Sequence, residues 1–460
     1  MKNPFLYVVL VFSLFSHMAP AMIVNTLLDE DDGLAGGGTG LSLREAVKYS
    51  PAGSTILFDV ALSGQTIRLT RGNLSVENSL TIDCSLLPAR ITLSADRTGN
   101  GKTADDTYVI LLNAGNLVLD SLILADANVG ESKGCISTSR TGNPSLYLDH
   151  CTFIGNSGYH SGAIHMIGGN LTISNSTFSE NSAIKGGSAF TASRSVVSIQ
   201  NSTFSKNSGL TVFSSGGRIS LNHTTIAGNS SSKSGPALHH TGTSIFSLSN
   251  SIVTGNPLAS QPNVSGTFIG SNNLISGTPL LAPLGDYGGP TQTMVPLPES
   301  PTINGGDGSA INSDQRGFPR VSPPDIGAVE FRDSDIARIW NLDFDGDGSP
   351  YGLEQALGTN NFTPDSKNSR NLTSPSFNAS GHAILKFGLN STSIHGTRWI
   401  LKRSPDLSHG SYTEIYRTNG VSDTVAPGFE FIRGTNSVTV FDENPLARCG
   451  FYRFEATLEP

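Results

Sequence analysis

Five segments of this chain align without a gap, and that repeat limits the fold more than any other feature. They are Leu146-Tyr-Leu-Asp-His-Cys-Thr-Phe-Ile-Gly-Asn156, Leu171-Thr-Ile-Ser-Asn-Ser-Thr-Phe-Ser-Glu-Asn181, Val197-Ser-Ile-Gln-Asn-Ser-Thr-Phe-Ser-Lys-Asn207, Ile219-Ser-Leu-Asn-His-Thr-Thr-Ile-Ala-Gly-Asn229 and Phe246-Ser-Leu-Ser-Asn-Ser-Ile-Val-Thr-Gly-Asn256. Their final asparagines lie 25, 26, 22 and 27 positions apart, and weaker copies begin at Leu80-Thr-Ile-Asp83 and Leu117-Val-Leu-Asp120. At about 3.3 Å per strand residue, this period accommodates three short strands and three turns, which is one coil of a solenoid.

Each segment opens on apolar residues alternating with polar ones, so one side faces inward and the other outward. Coils in register would stack Phe153, Phe178, Phe204, Ile226 and Val253 into one apolar column. His150, Asn175, Asn201, His223 and Asn250 share a second column at a bend, where a buried amide would bond the residues above and below it. Ser161-Gly-Ala-Ile164, Gly186-Gly-Ser-Ala-Phe190 and Ser215-Gly-Gly217 are expected corners. The expectation is an all-β chain whose residues 22–333 form a right-handed, single-stranded parallel β-helix of the pectate-lyase-like kind.

Three resemblances attach to these residues. The spacing Phe-x-x-Asn, in Phe153-Ile-Gly-Asn156, Phe178-Ser-Glu-Asn181 and Phe204-Ser-Lys-Asn207, resembles the repeats of chlamydial polymorphic outer-membrane proteins, which implies surface adhesion. Leu41-Ser-Leu-Arg-Glu-Ala46 through Gly53-Ser-Thr-Ile-Leu-Phe58 resembles the CSLREA domain that opens bacterial surface β-helices, with Leu41 in place of that family's cysteine. Leu284-Gly-Asp-Tyr-Gly-Gly-Pro-Thr-Gln-Thr293, Ser300-Pro-Thr-Ile-Asn304, Asp314-Gln-Arg-Gly317 and Asp325-Ile-Gly-Ala-Val-Glu330 follow the order of choice-of-anchor Q domains, which implies an exported β-helix followed by an attachment module. An open solenoid needs its ends covered, so residues 22–65 and 284–333 are expected as caps. Ser42-Leu-Arg-Glu45 is a capping box, and Leu43, Ala46 and Val47 on one helical face would plug the bore.

One stretch carries recognisable metal chemistry. Asp343-Phe-Asp-Gly-Asp-Gly-Ser-Pro-Tyr-Gly-Leu-Glu354 fits the calcium-loop pattern at every specified position. Calcium takes six to eight oxygens, and Asp343, Asp345, Asp347, Ser349, the Tyr351 carbonyl and a bidentate Glu354 are the expected ligands. Residues 335–340 and 353–357 are expected as flanking helices. The loop resembles those of dockerins and thrombospondin type 3 repeats. Pro350 lacks the N–H that would join a second loop, and none follows, so a single Ca2+ site at 334–362 that stiffens an inter-domain joint is expected.

After a Pro/Ser/Asn-rich linker at 363–375, the runs Ala383-Ile-Leu-Lys-Phe387, Arg398-Trp-Ile-Leu-Lys402, Tyr412-Thr-Glu-Ile-Tyr416, Ser437-Val-Thr-Val-Phe441 and Phe451-Tyr-Arg-Phe454 predict a small antiparallel β-sandwich over 376–460, a candidate sorting or anchoring module. At the other end, Lys2, the apolar run from Tyr7 to Phe15 and Ala19-Pro20-Ala21 read as a signal peptide over 1–21. Export makes a disulfide feasible. Cys135 and Cys151, less than a repeat apart, would be the pair, while small buried thiols are the alternative for Cys84, Cys135, Cys151 and Cys449.

Only 14% of residues are charged, against about 25% in ordinary domains, and the net charge is −8, which argues against nucleic-acid binding. No segment beyond the leader is long and apolar enough to span a bilayer. The sequence therefore points to a monomeric protein, secreted or displayed at the cell surface in association with the outer membrane. Its partners would be extracellular polysaccharide or a host or cell surface. The alternative is a polysaccharide lyase or glycoside hydrolase, because the β-helix also carries such enzymes. Asp83, Asp120 and Asp149 would then be the catalytic candidates, each also explained as a turn residue, and His239-His240 a metal candidate.

Overall fold

The computed structural model describes residues 21–33, 38–101, 108–130, 133–139, 142–230, 236–242, 246–254, 263–308, 311–357, 359–364, 376–378, 383–388, 397–404, 412–419, 421–434, 437–442 and 451–458. The signal-peptide expectation, apart from its last residue, lies outside them, as do Asn256, most of the expected linker and Cys449. Two compact units are present, one formed largely by residues up to 279 with 288–293 and 304–329, the other by 280–287, 294–303 and 330–460.

The first unit is a parallel β-solenoid of about seven turns. Met22–Val24 pairs with Ser54–Phe58, then in succession come Leu80–Asp83, Asn116–Asp120, Ser145–Asp149 and Asn170–Ser174, each parallel to the strand before it. The series continues through the long strands Ser182–Ser205 and Ser208–Ile226 to Phe246–Ser249. Leu146, Leu171, Val197, Ile219 and Phe246 fall directly above one another, as the repeat requires. The inward column Ile82, Leu119, Leu148, Ile173, Ile199, Leu221 and Leu248 is buried throughout. Phe153, Phe178 and Phe204 stack with ring centroids 4.7 and 4.8 Å apart.

The amide ladder occupies a different column from the one expected. Asn156 donates through Nδ2 to Oδ1 of Asn181 at 2.9 Å, Asn181 to Asn207 at 3.0 Å, and Asn207 to Asn229 at 2.9 Å, all buried. His150, Asn175, Asn201, His223 and Asn250 instead hold φ between 45° and 49°, in the left-handed region. That conformation turns the corner, and asparagine and histidine tolerate it better than most residues.

The expected capping box near the N-terminus is present. Leu43–Tyr49 is a helix whose capping box joins Ser42 and Glu45 reciprocally, and Leu43, Ala46 and Val47 lie in the solenoid core. Residues 288–293, 304–308 and 311–329 form a strap along the flank. Thr177, Thr203 and Thr225 stack in one outer column beneath it. Gln315, fully buried, accepts from the Thr203 hydroxyl at 2.6 Å and donates to Thr177 at 3.0 Å and Thr291 at 2.9 Å. Ser313 accepts from the Asn201 side chain, Arg320 donates to the same side chain, and Asp307 donates its backbone N–H to Asn250. Asn201 and Asn250 thus bind the strap through their side chains, where mutual bonding had been expected. Cys84, Cys135 and Cys151 are free, buried thiols.

The second unit contains two four-stranded antiparallel sheets. One comprises Ser376–Phe377, Ala383–Gly388, Ser437–Asp442 and Phe429–Arg433; the other Asp423–Val425, Thr413–Thr418, Thr397–Ser404 and Phe451–Leu458. Leu385, Phe387, Val438 and Val440 from the first share one core with Trp399, Leu401, Ile415 and Tyr416 from the second. The five strands expected from the sequence are present, and 376–377, 423–425 and 429–433 add to them.

Candidate functional site

Along the solenoid, one outward column runs Asp83, Asp120, Asp149, Ser174, Gln200, Asn222, Ser249. Two residues earlier on each strand runs a second, Thr81, Val118, Tyr147, Thr172, Ser198, Ser220, Ser247. Period-two alternation puts both on the outer face, while Leu146 and Leu148 point into the core. The three aspartates therefore align as expected. Rungs repeat at the strand spacing of about 4.7–4.9 Å.

The carboxylates differ in their surroundings. Partial burial and the neighbouring charges of Asp149 and Asp83 raise the pKa of Asp120, although the Ser121 hydroxyl donates to it at 2.8 Å. Asp149 is also penalised by burial, but hydrogen bonds from His150 and Asn175 outweigh that and lower its pKa. Asn175 Nδ2 lies 2.8 Å from Asp149 Oδ1. His150 Nδ1 sits 3.3 Å from Asp149 Oδ1 and 4.0 Å from Asp120 Oδ1, and the hydrogen bond to Asp149 raises the imidazole pKa against the effect of burial. Arg90 donates to Thr152 Oγ1 at 2.7 Å and to the His150 carbonyl at 3.4 Å, adding a positive charge beside the imidazole. Asp83 is a turn residue whose Oδ1 accepts from Ser85 N at 2.7 Å. Tyr147, on the same strand as Asp149, exposes 38% of its surface.

Arg90 and Tyr147 were not singled out from the sequence, and His150 was expected only as a member of the corner column. Tyr147 had a signal, an aromatic residue at an outward position. Arg90 had none, since it lies 60 residues from His150. His239 and His240 do not act together. His240 is buried, with both ring nitrogens lacking hydrogen-bond partners, while His239 stacks on Phe213 at 5.6 Å. Adjacent strand residues face opposite sides, so the two rings cannot converge on one ion.

The acidic loop lies between the helices Asp333–Ile339 and Tyr351–Leu357. Asp343, Asp345 and Asp347 each place one carboxylate oxygen within 4.8 Å of the others. Asp343 accepts from Gly346 N at 2.8 Å and Gly348 N at 2.9 Å, and Asp347 accepts from Ser349 N at 2.7 Å. Gly348 has φ 92°, a conformation that favours glycine. Asp345 Oδ2 is buried and has no hydrogen-bond donor, which fits a cation ligand. Ser349 and Glu354 are buried. The acidic group gathered among the described residues is the three aspartates, without the Glu354 carboxylate. Tyr351 is wholly buried, its ring 5.3 Å from that of Phe344. Trp399 Nε1 donates to Ala356 O at 3.0 Å and Trp340 Nε1 to Ala456 O at 3.2 Å, so both flanking helices are tied to the sandwich. The loop belongs to the same compact unit as the two sheets.

No family model matches the chain, and no curated protein matches it in sequence. Among solved structures, a pectate lyase variant from Xanthomonas campestris is similar at 14% identity and a TM-score of 0.27, over 54% of this chain and 83% of that one. So loose a likeness carries no argument about chemistry. The coil-by-coil pairing by itself defines the parallel β-solenoid. No described helix is long and apolar enough to cross a membrane.

Proposed function

We propose that this chain is an exported β-solenoid displayed at the cell surface, where its outer face binds extracellular polysaccharide. The observation that carries the reading is the seven-rung column from Asp83 to Ser249, which repeats hydrogen-bonding side chains at a fixed spacing along the rod. A polymer with many weak contacts is a suitable ligand for such a surface, because successive rungs engage successive units and their affinities multiply. Tyr147 adds an exposed aromatic ring on which the apolar face of a sugar can stack. Resemblance to CSLREA and choice-of-anchor Q proteins supports export and display.

Calcium forms the second part of the reading. Asp343, Asp345, Asp347 and Ser349 would supply side-chain oxygens, Tyr351 its carbonyl and Glu354 its carboxylate. The ion would neutralise three converging carboxylates and brace the helix that Trp399 holds against the sandwich. The C-terminal unit would then serve in attachment. A glycan array probed with the full chain tests the binding reading. Retention of a defined glycan class, weakened by Tyr147→Ala, is the expected result; no retention of any glycan removes it.

A further inference from the structure

A cleft opens at the N-terminal end of the solenoid, on a flank other than the one that carries Asp83 to Ser249. Its volume is about 470 Å³, within the roughly 300–1,000 Å³ usual for small-ligand sites. Leu27 and Leu28, from the segment after the first strand, form one wall, and Thr66, Arg68 and Thr70 form the other. Period-two alternation turns Thr66 and Arg68 outward, while Ile67 between them is buried in the core. Thr66–Arg68 pairs with Thr92–Ser94, so the cleft sits on the first rung of its flank.

Arginines gather around it. The Arg44 guanidinium donates to Gly72 O at 2.6 Å and to Asn73 O at 3.0 Å, and that of Arg97 donates to Thr70 O at 3.2 and 3.0 Å. These bonds fix the 70–73 backbone at the cleft rim. The carboxylates alongside are already engaged. Asp29, almost wholly buried, accepts from Arg44 at 2.6 and 3.0 Å and from Arg71 N at 2.7 Å. Glu30 accepts from the Thr39 hydroxyl. Arg68 is different. It is exposed and has no hydrogen-bond or ion-pair partner among the described residues. Its Nε lies 3.3 Å from where a Cβ on Gly99 would stand, so the glycine leaves it room. The cleft thus combines an unpaired planar cation, two hydroxyls and an apolar wall. A guanidinium so placed can take a carboxylate through two parallel N–H···O bonds.

Resting on the polysaccharide reading above, we infer that this cleft binds a carboxylate-bearing sugar residue of the same glycan. Arg68 holds the carboxylate, the Thr66 and Thr70 hydroxyls meet those of the sugar, and Leu27 and Leu28 cover the C–H face of its ring. The column of Asp83, Asp120 and Asp149 repels such a residue. The two surfaces therefore take different units of one polymer, the uncharged along the column and the acidic in the cleft.

The test titrates the full chain by calorimetry with a panel of uronic-acid-bearing oligosaccharides. Each is paired with the same compound after reduction of its carboxyl group to the alcohol, and with a sulfated analogue. Expected is an acid that binds about 10–100-fold tighter than its reduced form, the worth of a charge-assisted contact. Arg68→Gln should remove that advantage, Arg68→Lys should restore part of it, and rising salt should shrink it. Urea unfolding of Arg68→Gln should match the parent chain, since no bond within the protein is lost. Tyr147→Ala should weaken acid and reduced forms alike and leave their ratio intact. Equal affinity for the two forms, an acid advantage that survives in Arg68→Gln, or preference for the sulfated analogue overturns this inference alone. Absence of binding to every member of the panel overturns the reading beneath it as well.

Discussion

Asn181 hands its side-chain amide to Asn207 one coil away, with Nδ2 3.0 Å from Oδ1, and its backbone N–H goes to the same oxygen at 3.1 Å. A single asparagine thus satisfies both a turn and the rung above it, in a site from which water is excluded. Replacing Asn181 by leucine would leave a buried carbonyl at Phe153 and a buried Asn207 oxygen short of donors. We expect a loss of about 2–4 kcal/mol in urea unfolding, since each unsatisfied group costs roughly 1–3 kcal/mol. A loss below about 0.5 kcal/mol would refute the ladder.

The phenylalanine stack above this ladder gives a second measurement. Phe178 is buried between Phe153 and Phe204. Phe178→Ala should destabilise the solenoid by about 3–5 kcal/mol, while Phe178→Leu should cost less than half as much. Equal costs would show that the column is loosely packed.

Gln315 is the buried side chain that joins the strap to the threonine column. Gln315→Ala removes its bonds to Thr177, Thr203 and Thr291 and opens a cavity beside a threonine column. Hydrogen exchange should accelerate across 304–329 in this variant before it does so in the coils. Uniform acceleration would show that strap and coils open as one.

Acid should loosen the solenoid through His223. Burial, with Arg320 nearby, pushes its pKa from 6.5 down to about 3. Between those values the unfolded chain binds a proton that the folded chain refuses, so this group's stabilisation is present above pH 6.5 and drains as pH falls toward 3. The slope is about 1.4 kcal/mol per pH unit. Unfolding measured from pH 7 to pH 4 should show that slope diminished in His223→Gln. An identical slope would assign the acid sensitivity elsewhere.

Calcium should raise the melting temperature of the C-terminal unit. At a hundredfold excess over the dissociation constant the stabilisation is about 2.7 kcal/mol. Asp345→Ala should abolish both calorimetric binding and the thermal shift. Chelator-insensitive melting of the intact chain, with no heat of binding, would rule the site out.

The sequence by itself determined the coil period, the inward columns, the capping box and the alignment of Asp83, Asp120 and Asp149, because each follows from local periodicity or from register between identical repeats. It also revealed five sandwich strands and the acidic loop through composition and spacing. Only the tertiary structure decided which asparagine column forms the ladder. The choice depends on which residue takes the left-handed corner, and both columns recur with the same period. Only the fold laid 311–329 along the flank and brought Arg90 behind His150, since those contacts span 112 and 60 residues and leave no local pattern. The union of the acidic loop with the sandwich is likewise tertiary, made by two tryptophan indoles whose partners are backbone carbonyls that no side-chain pattern announces.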